Sequence, residues 1–114
     1  MMIAAMMVMT VANATNDGDD KVENTKAYDM TVNMRKLAVV LDLNIDQMEA
    51  VQDIHHQFCN EMMMAATAKG EERDAMAENA IKKDVRYMHY VLDEKQYKKY
   101  LLLLNTTLHN RGLR

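Results

Sequence analysis

At 114 residues the chain is long enough for one domain and no more. It has no Pro, no Trp, three Gly and one Phe, and its apolar content is Leu, Val, Ala and Met, a composition with few breakers that favours helices over sheet. The formal net charge of -3 argues against nonspecific nucleic-acid binding.

Residues 1–11 are apolar throughout except for Thr10. Ala12, Asn13 and Ala14 then supply the A-x-A pattern of a signal-peptidase site, and polar, acidic residues follow at once. So short an apolar run reads as part of a signal peptide and not as a membrane span. The expectation is export, to the periplasm or out of the cell, with residues 1–14 removed as a signal peptide. No Lys or Arg precedes the run, so either the true start lies upstream of Met1 or the amine of Met1 is the only positive charge there. A buried N-terminal helix, or a weak membrane anchor where cleavage fails, are the alternatives. Residues 15–24 are polar, with almost nothing to bury, and are expected to form a disordered leader. Residues 25–114 are expected to form the helical domain.

A first helix is expected over residues 25–41, with Met30, Met34, Leu37 and Leu41 on one stripe. Asp42 and Leu43 break it. Leu43-Asn44-Ile45-Asp46-Gln47 then reads L-N-x-x-Q, a helix start in which Asn44 caps the first turn and Gln47 reaches back to the Asn44 N–H. Leu43 is placed to pack on Met48 as a hydrophobic staple. The second helix is expected over residues 44–69, with Met48, Val51, Ile54, Phe58, Met62 and Ala65 facing the core. Gly70 is its natural stop, or a soft point in one longer helix. A third helix over residues 71–91 buries Ala77, Ile81, Val85, Met88 and Leu92, with Glu78 and Lys82 paired outside.

The pattern then recurs. Leu92-Asp93-Glu94-Lys95-Gln96 reads L-D-x-x-Q, with Tyr97 as the staple position. It opens a fourth helix over residues 93–108, in which Tyr97, Leu101, Leu104 and Leu108 face inward and Glu94 pairs with Lys98. Residues 101–104 are all Leu, wider than one stripe, so this helix is either the most buried element or an oligomer contact. Gly112 is expected to end the ordered chain. The sum is an all-α, four-helix, hairpin-like small domain. Once the signal is removed, the chain is small for a monomer with a sizeable core, so a homodimer is expected.

The two boxes, Leu43 to Gln47 and Leu92 to Gln96, resemble the paired L-T-x-x-Q motifs of the Spy and CpxP group of periplasmic proteins. Asn44 and Asp93 stand where that group has Thr, and both serve equally well as caps. The resemblance implies a helical subunit that dimerises into a curved cradle. It also implies a role as an ATP-independent envelope-stress chaperone, as an adaptor restraining a sensor, or as a zinc-responsive relative.

Four positions on the second helix, His55, Cys59, Met62 and Met63, lie along one side. His55, Cys59 and Met62 are soft enough donors for Cu(I) or, through His and Cys, for Zn. The competing reading is a Met-filled core bordered by a histidine. Cys59 is the only cysteine, so it cannot form an intrachain bridge; it is buried, free or paired with a second chain. His89 and His109 are expected at the surface. Catalysis lacks support: the chain has no Ser, no Gly-rich phosphate loop, and carboxylate pairs only in the leader and at a helix start.

Met62, Met63 and Met64 are consecutive and point in different directions around a helix, so at least one reaches the surface, where flexible thioethers suit promiscuous protein binding. Residues 15–61 are acid-rich, and most Lys and Arg follow Met62. Solvated helix faces that compensate one another account for this, with a basic face for an acidic partner as the alternative. The expectation is a non-catalytic module that binds unfolded or stress-exposed proteins, or a sensor domain, with contacts at Met62, Met63, Met64 and Leu102 and with no cofactor. A periplasmic Zn or Cu sensor or scavenger, or a small structural accessory protein, are the alternatives.

Overall fold

Asn33 decides where the first helix begins. In the computed structural model, which describes residues 26–114, its Oδ1 accepts a hydrogen bond from Lys36 N at 3.2 Å, and α1 spans Met34–Leu41. The helix expected over residues 25–41 is therefore interrupted: Lys26 and Ala27 are helical, and the helix resumes only at Met34. Residues 28–33 form an irregular strap because short polar side chains capture the backbone locally. Asp29 Oδ1 accepts from Thr31 N at 3.0 Å and from Thr31 Oγ1 at 2.6 Å, and Thr31 and Val32, both β-branched, add to the cost of a helix there. The strap still delivers Tyr28 and Met30 to the core. The Arg111 guanidinium holds it by donating to the carbonyls of Lys26, Ala27 and Asp29. The expected signal peptide and polar leader, residues 1–24, lie outside the described residues.

The end of α1 is a Schellman turn: Leu43 N donates to Ala38 O at 2.9 Å and Asp42 N to Val39 O at 3.2 Å. Asp42 sits in the left-handed region at φ 57, a place glycine fills without steric cost. Replacing Asp42 with Gly is expected to stabilise the fold by a few tenths to about 1 kcal/mol, the relief of strain exceeding the added freedom of the unfolded chain. A urea midpoint below that of the parent would contradict this.

Asn44 caps α2 (Ile45–Thr67), whose core side carries Val51, His55, Phe58, Met62 and Ala65. Met48 departs from expectation: it is 37% exposed, while Leu43 turns onto the core. After Thr67 the backbone of Ala68 and Lys69 is extended, and Gly70, at φ +56, opens α3 (Gly70–Val91). The glycine thus sits at the expected break but starts the next helix, and the two helices are separate. They reverse into a hairpin, fixed midway by Lys83 Nζ on Glu61 Oε2 at 2.8 Å. α3 buries Ala77, Ala80, Ile81, Asp84 and Met88. Leu92 follows in the core, and Val85 is half-buried.

Asp93 caps α4 (Glu94–Asn110), which buries Gln96, Tyr100, Leu104 and Leu108. That stripe lies one position before the expected one at its start, leaving Tyr97 and Leu101 half-buried. Leu102 is exposed, so the Leu run is not wholly buried. Gly112 does not end the order. At φ 76 it makes a second Schellman turn, Leu113 N donating to Leu108 O at 2.9 Å, and Leu113 packs back on the core. Glu78 pairs with Arg114 at 3.3 Å and not with Lys82.

α4 runs antiparallel to α3 and to the strap with α1, with Lys99 Nζ on Val40 O at 3.3 Å. The described residues form four helices without a strand, 49 × 24 × 21 Å in extent.

Candidate functional site

The two repeated boxes meet. Each is a complete capping box: Asn44 Oδ1 accepts from Gln47 N at 2.7 Å and Gln47 Oε1 from Asn44 N at 3.1 Å, while Asp93 Oδ1 accepts from Gln96 N at 2.8 Å and Gln96 Oε1 from Asp93 N at 2.9 Å. The glutamines then pair with each other. Gln47 Nε2 donates to Gln96 Oε1 at 2.8 Å, and Gln96 Nε2 to Gln47 Oε1 at 3.0 Å. Each amide also bonds the helix end that precedes the other box. Gln47 Nε2 donates to Val91 O at 3.1 Å, and Gln96 Nε2 to Leu41 O and Asp42 O at 3.1 and 3.0 Å. Two local motifs become one tertiary lock that joins all four helices at one end of the bundle. Leu43 and Leu92 turn inward beneath it, half-buried and buried respectively.

A second polar centre lies deeper, between α2, α3 and α4. Asp84 is 2% exposed; its Oδ2 accepts a hydrogen bond from the Tyr100 hydroxyl, and its Oδ1 is buried with no partner among the described residues. Burial raises the carboxyl from its ordinary value to about 7, and the Glu61 carboxylate adds to the rise, while the Tyr100 bond acts against it. Burial likewise drives the Tyr100 phenol far above its ordinary range. On α2, His55 Nε2 lies 3.3 Å from Cys59 Sγ. Burial lowers the His55 pKa, a tendency partly offset by the Met30 backbone. It raises that of the Cys59 thiol, helped by the Asp29 and Asp84 carboxylates. A raised thiol pKa is the opposite of what a nucleophilic cysteine needs.

The three expected donors lie on the inner side of α2. His55 and Cys59 come together. Met62 is fully buried in the core, which also removes it from the expected contact residues. Among the described residues no group of three or more His, Cys, Asp or Glu side chains is arranged to hold a metal ion. Asp84 and Tyr100 escaped the sequence reading, although a charged residue on the Ala77–Ile81–Met88 stripe was a signal for them.

The outer surface carries the remaining candidates. Met63 and Met64 are exposed near the end of α2, and Leu102 is exposed on α4. Val39, Ile45 and Tyr90 are exposed as well. A groove of about 550 Å³ opens between α3 and α4, floored by Ile81, Val85 and Leu101 and edged by Lys82 and Arg86. His89 is exposed, and its ring stacks on Tyr97 with centroids 4.1 Å apart; His109 is exposed too. No described helix is long and apolar enough to cross a membrane. No protein-family model matches the sequence, and neither curated proteins nor solved structures yield a match.

Proposed function

We propose that the chain is an exported, non-catalytic protein-binding module, acting as a homodimer. Its role is that of an ATP-independent envelope-stress chaperone or of an adaptor for a sensor domain. One observation carries the reading: large apolar side chains stand in water on several helices, with Ile45 at 85%, Leu102 at 67% and Met64 at 59% exposure. A partner that covered them would remove that apolar surface from water, a gain of about 25 cal/mol per Å² buried. Thioether and aliphatic side chains adapt to varied apolar segments, and surrounding charges set encounter rates. The paired boxes support the kinship with the Spy and CpxP group, because both caps form with Asn44 and Asp93 in place of Thr.

The test is the aggregation of an unfolding client protein. A clear delay is expected at stoichiometric amounts. A Met64→Lys, Leu102→Lys double variant is expected to bind client at least tenfold more weakly, since each lost apolar contact is worth about 1.5 kcal/mol or more. Absence of any delay removes the chaperone role. A sedimentation mass of one chain at working concentration removes the dimer.

A further inference from the structure

We propose that the groove between α3 and α4 is a docking site for an acidic peptide segment, one in which apolar side chains alternate with carboxylates. The inference deepens the protein-binding reading above and rests on it. The groove has a bounded shape. Its floor is Ile81, which is buried, with Val85 and Leu101, which are half-buried. One end is closed by the His89 ring stacked on Tyr97. The other is closed by Arg114, which donates to Glu78 Oε2 at 3.3 Å and to Asn105 Oδ1 at 3.1 Å. The stretch of α3 from Glu78 to His89 is about 16 Å long, at about 1.5 Å per residue. That is room for about five residues of extended chain at about 3.3 Å each.

The charge along this groove is uncompensated and of one sign. Lys82 and Arg86 stand one helical turn apart on the α3 edge, both exposed. Among the described residues neither enters an ion pair, in contrast to Lys83 and Arg114. The Arg86 guanidinium lies 5.6 Å from the centre of the Tyr87 ring, a contact that leaves its charge unneutralised. Glu78, the carboxylate among the described lining residues, is already taken by Arg114.

A segment with the complementary pattern answers both features. In an extended chain alternate side chains point to opposite sides, so carboxylates two residues apart stand about 6.6 Å apart. Side chains one turn apart on a helix stand about 5–6 Å apart. Apolar side chains can then settle on the floor while carboxylates meet Lys82 and Arg86, whose long stems let the charged heads follow. A lipid surface fits less well, because the apolar floor is recessed between two helices and the cations follow one edge, with uncharged Asn105 on the other. The acidic residues 15–24 of this chain offer that floor a single apolar side chain, Val22.

The test is fluorescence anisotropy with a labelled five-residue peptide of alternating leucine and glutamate, compared with the same peptide carrying lysine for glutamate. At low salt the glutamate peptide is expected to bind the parent protein at least tenfold more tightly than the lysine peptide, and to lose most of that advantage at about 1 M salt. A Lys82→Glu, Arg86→Glu double variant is expected to bind it at least tenfold more weakly. Arg35→Glu, Lys36→Glu, the same charge change on exposed α1 positions, is expected to leave binding unchanged. Equal affinity for the two peptides, or an advantage indifferent to salt, would overturn the proposal on the parent protein alone, whatever the variants do. So would peptide binding undiminished in the Lys82, Arg86 variant. Binding of phosphatidylglycerol vesicles in place of the peptide would assign the groove to a membrane. A sedimentation mass that halves in the Lys82, Arg86 variant would assign it to a second copy, and a tenfold gain in peptide affinity in Asp19→Lys, Asp20→Lys to the chain's own acidic stretch. Each of these three also overturns the proposal. No aggregating client enters these measurements. Peptide binding without an aggregation delay therefore removes the chaperone role and keeps the groove, and a delay without peptide binding does the reverse.

Discussion

Gln96→Ala is expected to destabilise the fold by about 3–4 kcal/mol, a large share of the stability of a domain this size. The residue is 8% exposed; its Oε1 accepts from Asp93 N and Gln47 Nε2, and the two N–H groups of its Nε2 are shared among Leu41 O, Asp42 O and Gln47 Oε1. Each hydrogen bond is worth about 1 kcal/mol net, and buried groups left without partners cost about 1–3 kcal/mol more. Truncation strands Leu41 O and the Gln47 amide together. The melting temperature is expected to fall by about 15 °C or more. Gln47→Ala removes fewer buried bonds and is expected to cost about 2 kcal/mol. The double variant discriminates between the two roles these residues have. If they acted only as separate caps, their effects would add. As members of one paired amide network they are expected to couple by at least about 1 kcal/mol in a double-mutant cycle. Additive losses would mean that the pairing contributes nothing beyond the caps.

That distinction also marks what the sequence could tell. A capping box is a three-residue affair, readable wherever Asn44 precedes Gln47 or Asp93 precedes Gln96, because donor and acceptor are near in the chain. Joining Gln47 to Gln96 across 49 residues needs the fold first. The strap escaped for the converse reason. Met30, Met34 and Leu37 keep helical spacing and all reach the core region, but Asp29 and Thr31 satisfy the backbone without a helix. In α4 the stripes 97–101–104–108 and 96–100–104–108 share their last two members, and four consecutive leucines hide which is right. Choosing the first concealed Tyr100, and with it the partner of Asp84. The candidate contact residues divided cleanly, since consecutive Met62, Met63 and Met64 must diverge around a helix: the first fills the core and the other two face water.

Asp84 is expected to give global stability an unusual slope with pH. Its carboxyl has an ordinary value of 3.8 and rises to about 7 in the fold. Between those limits the folded state holds the proton and the unfolded state has lost it, so stability falls as pH rises, by about 4 kcal/mol in all at about 1.4 kcal/mol per pKa unit. His55 acts in the other sense. Burial depresses its folded value below 6.5, so its contribution is present above 6.5 and is lost as pH falls through the folded value. The lowered pKa values of Asp29 and Glu61 also favour higher pH, but these carboxylates lie near the surface and weigh little. Urea midpoints for the parent protein are therefore expected to rise from pH 7.5 to pH 5.5, because the Asp84 contribution exceeds the rest. Asp84→Asn keeps an acceptor for the Tyr100 hydroxyl and has no proton to lose. Its midpoints are expected to reverse that slope and fall on acidification, exposing the His55 limb. Parallel curves for parent and variant would place the titrating group elsewhere and leave Asp84 a buried acid without influence on folding.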